Sequence, residues 1–221
     1  KSAVNVKNYS TRILKFLLEK NIKLAVVACN TSSALALFSL KNEFDIPVFG
    51  VIEPAVRFAE KTSKFDAIGV VGTRATIHSK AYSKAFVKIG SKKTIIEYAC
   101  PLFVPLIEEG VLKGSISDGI IEYYLTDLVR QKIDTIILGC THYPLLIEQI
   151  QAFVGNKMRL VSSGPILAKE INQFLNNSNL EAKSQKERTQ FFVTDFPQKF
   201  EDVGSRFLGR SVKPISLIIL P

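Results

Sequence analysis

Short apolar runs rich in β-branched residues recur along this chain, and each gives way to a stretch whose apolar residues fall at helical spacing. The runs are Ile22 to Ala28, Ile46 to Val51, Ala67 to Val71, Thr94 to Tyr98, Thr135 to Leu138 and Arg159 to Val161. Runs of this length and composition mark strands buried on both faces. Helices are expected over Tyr9 to Lys20 with a stop at Asn21, over Ala34 to Phe44, and onward from Glu53-Pro54, where proline suits a first turn. Further helices are expected over Ile77 to Ile89, Phe103 to Glu109, Ile120 to Gln131, from Pro144 to Val154, and over Ile166 to Leu175. The polar stretch Asn176 to Arg188 predicts a flexible loop. A strand at Gln190 to Thr194, a helix at Gln198 to Leu208 and a strand at Ile215 to Leu220 close the chain. Alternation of this kind gives right-handed crossovers and parallel sheets covered by helices, an α/β fold. Ligands then bind beyond the carboxyl ends of the strands, so the residues just after each strand carry the functional information.

The chain has 221 residues, 47% of them hydrophobic and 22% charged, enough for one large or two small α/β domains. No apolar run is long enough to span a membrane. The start, Lys1-Ser2-Ala3-Val4-Asn5, has neither the apolar core of a signal peptide nor an initiator Met, and is expected to be a trimmed front edge. Three cysteines far apart make no disulfide framework, which favours a reducing cytoplasm. The net charge of +9 favours acidic ligands or nucleic acid, or reflects a basic, solubilised surface. The densest basic run, Lys183 to Arg188, contains Glu187 and reads as a solvated loop, so nucleic acid is not the expected partner.

Two positions after strands match each other. Val26-Val27-Ala28-Cys29-Asn30-Thr31 and Ile137-Leu138-Gly139-Cys140-Thr141-His142 each place a thiol at a strand end, followed by small polar groups and a helix. The thiols are about half the chain apart, which suggests two similar units facing each other. A thiol before a helix N-terminus is expected to have a lowered pKa, and the free N–H groups there bind carboxylates. Two opposed turns would hold a dicarboxylate between two sulfurs. Against this, cysteine is commonly a buried, inert residue. Cys100, followed by Pro101 and no polar group, is read as structural. Zinc is disfavoured because there is no close cysteine pair and only His78 and His142 are present. A Cys-His hydrolase dyad lacks a strained nucleophile elbow, and His78 reads as a solvated helix residue.

ACNTSSA at Ala28 to Ala34 and LGCTHYPLL at Leu138 to Leu146 resemble the two cysteine signatures of glutamate racemases, in the aspartate/glutamate racemase family. Gly50 to Pro54 (GVIEP), Gly69 to Tyr82 (GVVGTRATIHSKAY), Cys100 to Gly110 (CPLFVPLIEEG) and Phe191 to Gly209 resemble the same family, so the likeness covers essentially the whole chain. His142 after Thr141, where aspartate racemases tend to carry Glu, points to glutamate. The resemblance implies two similar parallel-sheet α/β domains across a cleft: a discontinuous first domain, residues 1–52 and 163–221, and a second, residues 53–162. It implies an isomerase that interconverts L- and D-glutamate without pyridoxal phosphate, metal or other cofactor, and that supplies D-glutamate for peptidoglycan in the cytoplasm. Cys29 would take the α-proton of D-glutamate and Cys140 that of L-glutamate, with His142 assisting Cys140. Asn30, Thr31, Thr76, Thr141 and His142 would bind the substrate. Glu53 either supports the site from behind or is an acid favoured at a helix start. A homodimer is left open, as are two other readings: an aspartate racemase, or a non-catalytic relative that binds a partner.

The family also opens with a strand carrying Asp-Ser-Gly and, later, a Pro-Tyr-Gly turn. Neither occurs here, and Lys1-Ser2 resembles the residues just after that turn. Roughly forty residues of a strand-helix-strand unit are therefore expected to be missing, and the chain as it stands to turn over little glutamate.

Overall fold

The computed structural model describes residues 2–182 and 189–220. Its centre is a four-stranded parallel sheet of β3 (Ala67–Gly72), β4 (Thr94–Ala99), β5 (Thr135–Gly139) and β6 (Arg159–Ser162), in the order β4-β3-β5-β6. β5 is buried along its whole length and β3 along all but its first residue. This is why both sequences read as continuous apolar runs rather than alternating ones. Side chains still alternate between faces. Val71, Ile136 and Leu138 join a core with Phe103, Ile121, Leu125 and Ile150. Ile68, Val70 and Ile137 join a separate core with Val56, Phe86 and Leu167. The first face is covered by α7 (Phe103–Glu108), α8 (Ser115–Val129) and α9 (Ile147–Val154). The second is covered by α4 (Ile52–Thr62), α6 (Ala81–Lys88) and α10 (Ser163–Asn177).

Two smaller parallel pairs complete the described strands. β1 (Ala25–Val27) pairs with β2 (Val48–Gly50), and β7 (Phe191–Val193) with β8 (Ile215–Leu217). A third core, including Val6, Leu14, Leu40 and Val48, holds β1 and β2 to α1 (Ala3–Leu18) and α3 (Leu37–Glu43). α10 ties this region to the central sheet: Phe174 meets the Phe49 ring edge-on at 5.0 Å, and Glu170 accepts hydrogen bonds from Arg57 at 2.8 and 2.9 Å.

The α/β class and parallel strands are as expected, and several boundaries differ for physical reasons. α1 begins six residues before Tyr9 because the Ser2 hydroxyl caps it, accepting from the Asn5 N–H at 3.3 Å. Asn21 is left-handed, with φ 54°, and the following strand shortens to three residues. The helix expected over Ile77 to Ile89 is two helices, α5 (Arg74–His78) and α6, separated by Lys80 in the left-handed region at φ 56°. The helix expected over Ala34 to Phe44 is also two, α2 (Asn30–Leu35) and α3, parted at Ala36. After Cys140 the chain makes a turn and then a 3₁₀ segment, Tyr143–Leu146, before α9 begins. Helix α8 starts earlier than expected, behind Gly114 at φ 99°, and β8 stops at Leu217. α10 carries helix into the stretch read as a loop, ending at Asn177. The basic run Lys183 to Arg188 lies outside the described residues. Among the described residues no helix is long and apolar enough to cross a membrane.

Candidate active site

The carboxyl ends of β1, β3 and β5 supply the site. Cys29 follows β1 and stands at the N-cap of α2, exposed. Cys140 follows β5 and is buried, 6% exposed. The parallel register sets Gly72 of β3 opposite Gly139 of β5, so the turn that begins at Thr73 lies beside the turn that begins at Cys140. Cys29, Thr141 and His142 line a cavity of about 600 Å³. Cys140 and Thr141, with Ser162 and Ser163, line an adjoining one of about 300 Å³. Ala28 and Thr141 belong to both, and Cys29 is near enough for its charge to bear on Cys140. The structure therefore brings the two sequence-matched thiols to one place.

The polar groups around them fall into two sets. On the Cys29 side, the hydroxyls of Thr31, Thr73 and Thr76 form a triangle with sides of 2.9, 3.1 and 3.0 Å. Thr73 also caps α5, accepting from the Thr76 N–H at 3.3 Å. A closed ring of three hydroxyls uses one donor from each, and a carboxylate can recruit one by turning it outward. Asn30 is 2% exposed; its Oδ1 accepts from the Tyr82 hydroxyl at 2.7 Å, and its Nδ2 is buried without a partner among the described residues. On the Cys140 side, His142 Nδ1 lies 3.9 Å from the Cys140 sulfur, and its Nε2 lies 3.4 Å from Glu108 Oε1. Lys199 Nζ reaches the other Glu108 oxygen at 3.0 Å.

The expectation of helix-lowered thiol pKa values does not hold for Cys140. Burial pushes that thiol up, to about 11, while the backbone N–H groups of His142 and Tyr143 pull the other way. No α-helix starts at Cys140, so a full helix field is absent; a few local N–H groups are too little to offset desolvation. Cys140 is thus a thiol at neutral pH. Cys100 is wholly buried in the core beneath, its pKa raised to about 12 by the same cause. Iodoacetamide at neutral pH should accordingly label Cys29 at least about tenfold faster than either other cysteine. Peptide mass spectrometry over a time course checks this, and equal labelling of Cys140 would contradict its burial.

Glu53 is placed elsewhere. It sits in the first turn of α4, and its Oε1 accepts from Lys88 at 2.8 Å. That hydrogen bond is the main cause holding its pKa below the usual range. It lines a groove with Lys88 and Ala85, not the cavities of the thiols. His78 is exposed at the end of α5. Sequence reasoning missed Thr73, Glu108, Tyr82 and Lys199. Thr73, a cap residue directly after a strand, was detectable from the Thr-x-x-Thr spacing. Glu108 and Lys199 meet across 91 residues of chain, a pairing that no local pattern announces.

The wall of the larger cavity comes from α11 (Pro197–Leu208) and its flanks. Phe207 meets the His142 ring edge-on at 5.6 Å, and Arg206 donates to the carbonyls of Ile107 and Glu108 at 3.2 and 3.3 Å.

Residues 4–171 match the family described as Asp/Glu/hydantoin racemase. The chain is 43% identical over 214 residues to a glutamate racemase of Aquifex aeolicus, covering 97% of this chain and 80% of that one. It superposes with a TM-score of 0.95 on the crystal structure of a glutamate racemase isoform from Bacillus anthracis, at 33% identity, covering 100% of this chain and 83% of that one. A glutamate racemase from Francisella tularensis, solved in complex with D-glutamate, gives a TM-score of 0.91 at 30% identity, covering 99% and 82%.

Proposed function

Since the chain belongs to the Asp/Glu/hydantoin racemase family, we propose that its two strand-end thiols carry out the reaction of a glutamate racemase. The protein interconverts L- and D-glutamate. The observation that carries the mechanism is the convergence of Cys29 and Cys140 on adjoining cavities that share Thr141. Inversion at Cα requires a proton to leave one face and another to arrive at the opposite face, and two bases do this without turning the substrate over.

Starting from D-glutamate, the Cys29 thiolate takes the α-proton, breaking Cα–H and forming S–H. The Cys140 thiol gives its proton to the other face, forming a new Cα–H and leaving a thiolate. The reverse run starts from L-glutamate with the roles exchanged. Burial holds Cys140 protonated in the resting site, the state the D-to-L direction needs. His142, 3.9 Å from that sulfur and paired with Glu108, is placed to stabilise the thiolate that forms. Asn30, Thr31, Thr76, Thr141 and His142 hold the carboxylates and the amino group. Donors aimed at developing negative charge in a site shielded from water contribute a few kcal/mol each, on the order of a hundredfold in rate. The net charge of +9 suits an anionic substrate.

Residues 1–52 with 163–221, and residues 53–162, form the two units that enclose the substrate, with Glu53 outside the reacting set. Three free thiols fit a reducing cytoplasm. Circular dichroism of D- and L-glutamate solutions tests the reading in the full-length protein. Inversion should proceed without added cofactor, with aspartate at least about tenfold slower because its shorter side chain cannot span both sets of donors. Comparable rates on aspartate would overturn the substrate assignment. Failure to invert either amino acid, with a salt-dependent shift of DNA on a gel, would favour a binding protein instead.

A further inference from the structure

Tyr82 has no place in the proton transfer described above, yet it is one of the largest side chains with no exposure at all. It comes from the first turn of α6 and reaches two parts of the site. Its ring lies against β5, where a Cβ on Gly139 would come within 3.0 Å of Tyr82 Cε2, one residue from Cys140. Its hydroxyl donates to Asn30 Oδ1 at 2.7 Å, one residue from Cys29. Burial, and then the nearby Cys140, push the phenol pKa above its usual value, so the hydroxyl stays a donor at any working pH.

A carboxamide has an acceptor end and a donor end. A buried phenol that must donate selects the acceptor end, which leaves Nδ2 at the other. That Nδ2 is buried and without a partner among the described residues, which is uncommon for a buried donor. Its neighbours in sequence are Cys29 and Thr31, the latter in the hydroxyl triangle. We propose that Tyr82 is a positioning residue for racemisation: its hydroxyl fixes the Asn30 carboxamide so that Nδ2 is free to donate to an oxygen of glutamate. This rests on the glutamate racemase reading and adds to it the residue that sets the amide's direction.

The test is a mutant cycle in the full-length protein, with KM and kcat measured for both enantiomers. Tyr82→Phe keeps the ring and removes the hydroxyl. It should lower kcat/KM about tenfold, mostly through KM, because the donor acts on bound substrate as well as on the transition state. Asn30→Ala should give a loss of similar size and kind. In the Asn30→Ala background, Tyr82→Phe should add less than about a twofold further loss. Full additivity would mean that Tyr82 acts through packing alone and would overturn the proposal, as would parental kinetics in Tyr82→Phe. Should Tyr82→Phe not fold, Asn30→Ala still decides: a parental KM there shows that Nδ2 does not meet glutamate. A parent protein that neither inverts glutamate nor melts at a higher temperature in its presence would instead sink the underlying reading.

Discussion

Serine in place of either Cys29 or Cys140, in the full-length protein, should lower glutamate racemisation by on the order of a thousandfold or more. A hydroxyl is a far weaker acid than a thiol, so at neutral pH it neither exists as a base nor returns a proton to carbon at a useful rate. The two enantiomers have equal free energy in water, so kcat/KM must fall by the same factor in both directions whichever thiol is removed. Only the division between kcat and KM can differ by direction. Cys100→Ser is the control. Its sulfur is buried in the core, with a weak contact of 4.0 Å to the Tyr98 carbonyl, so a buried hydroxyl there should cost stability and leave turnover within about threefold. Thermal melts and circular dichroism of all three variants separate the two effects. An inactive but folded Cys100→Ser beside an active Cys29→Ser would mean the wrong pair has been identified.

The second large effect is expected at a residue with no chemistry. A Cβ on Gly139 would lie 2.8 Å from the Val71 carbonyl oxygen and 3.0 Å from Tyr82. The first contact is backbone and cannot swing aside. Gly139→Ala must therefore part β3 from β5 or shift the turn that carries Cys140. A displacement near 1 Å costs on the order of a hundredfold in rate, and overpacking at such a site costs about 1–3 kcal/mol of stability. Gly119→Ala is the opposite case: it lies within α8, and an added Cβ meets nothing within 4 Å. It should stabilise by about 0.5–1 kcal/mol with activity unchanged. Gly139→Ala at more than a third of parental kcat/KM would show that the close approach of the two strands does not set the position of Cys140.

What the sequence made legible was whatever local pattern encodes. Buried strands such as β3 and β5 announce themselves because burial on both faces demands unbroken apolar residues, and the thiols at strand ends follow from the logic of parallel sheets. Helix starts were harder. Ser2 caps α1 ahead of the amphipathic stretch, and Lys80 breaks a run that looks continuous because a lysine in the left-handed region leaves no signature in hydropathy. The electrostatics of Cys140 were misjudged for a related reason. Proximity to a helix can be guessed from sequence, whereas desolvation depends on everything packed around the sulfur. Glu108, Lys199 and Tyr82 all reach the site from distant segments, and their contributions exist only once the chain has folded.

The contacts of α11 tie entry to the cavity to the state of the acid and base within it. The helix lines the cavity through Lys199, Phe200 and Phe207, and the same face grips α7 through Arg206 and pairs Lys199 with Glu108. A movement that widens the mouth must pull a cation from the carboxylate behind His142 and an aromatic edge from its ring. One helix thus shapes both the route by which glutamate reaches the thiols and the balance of charge around the histidine beside Cys140.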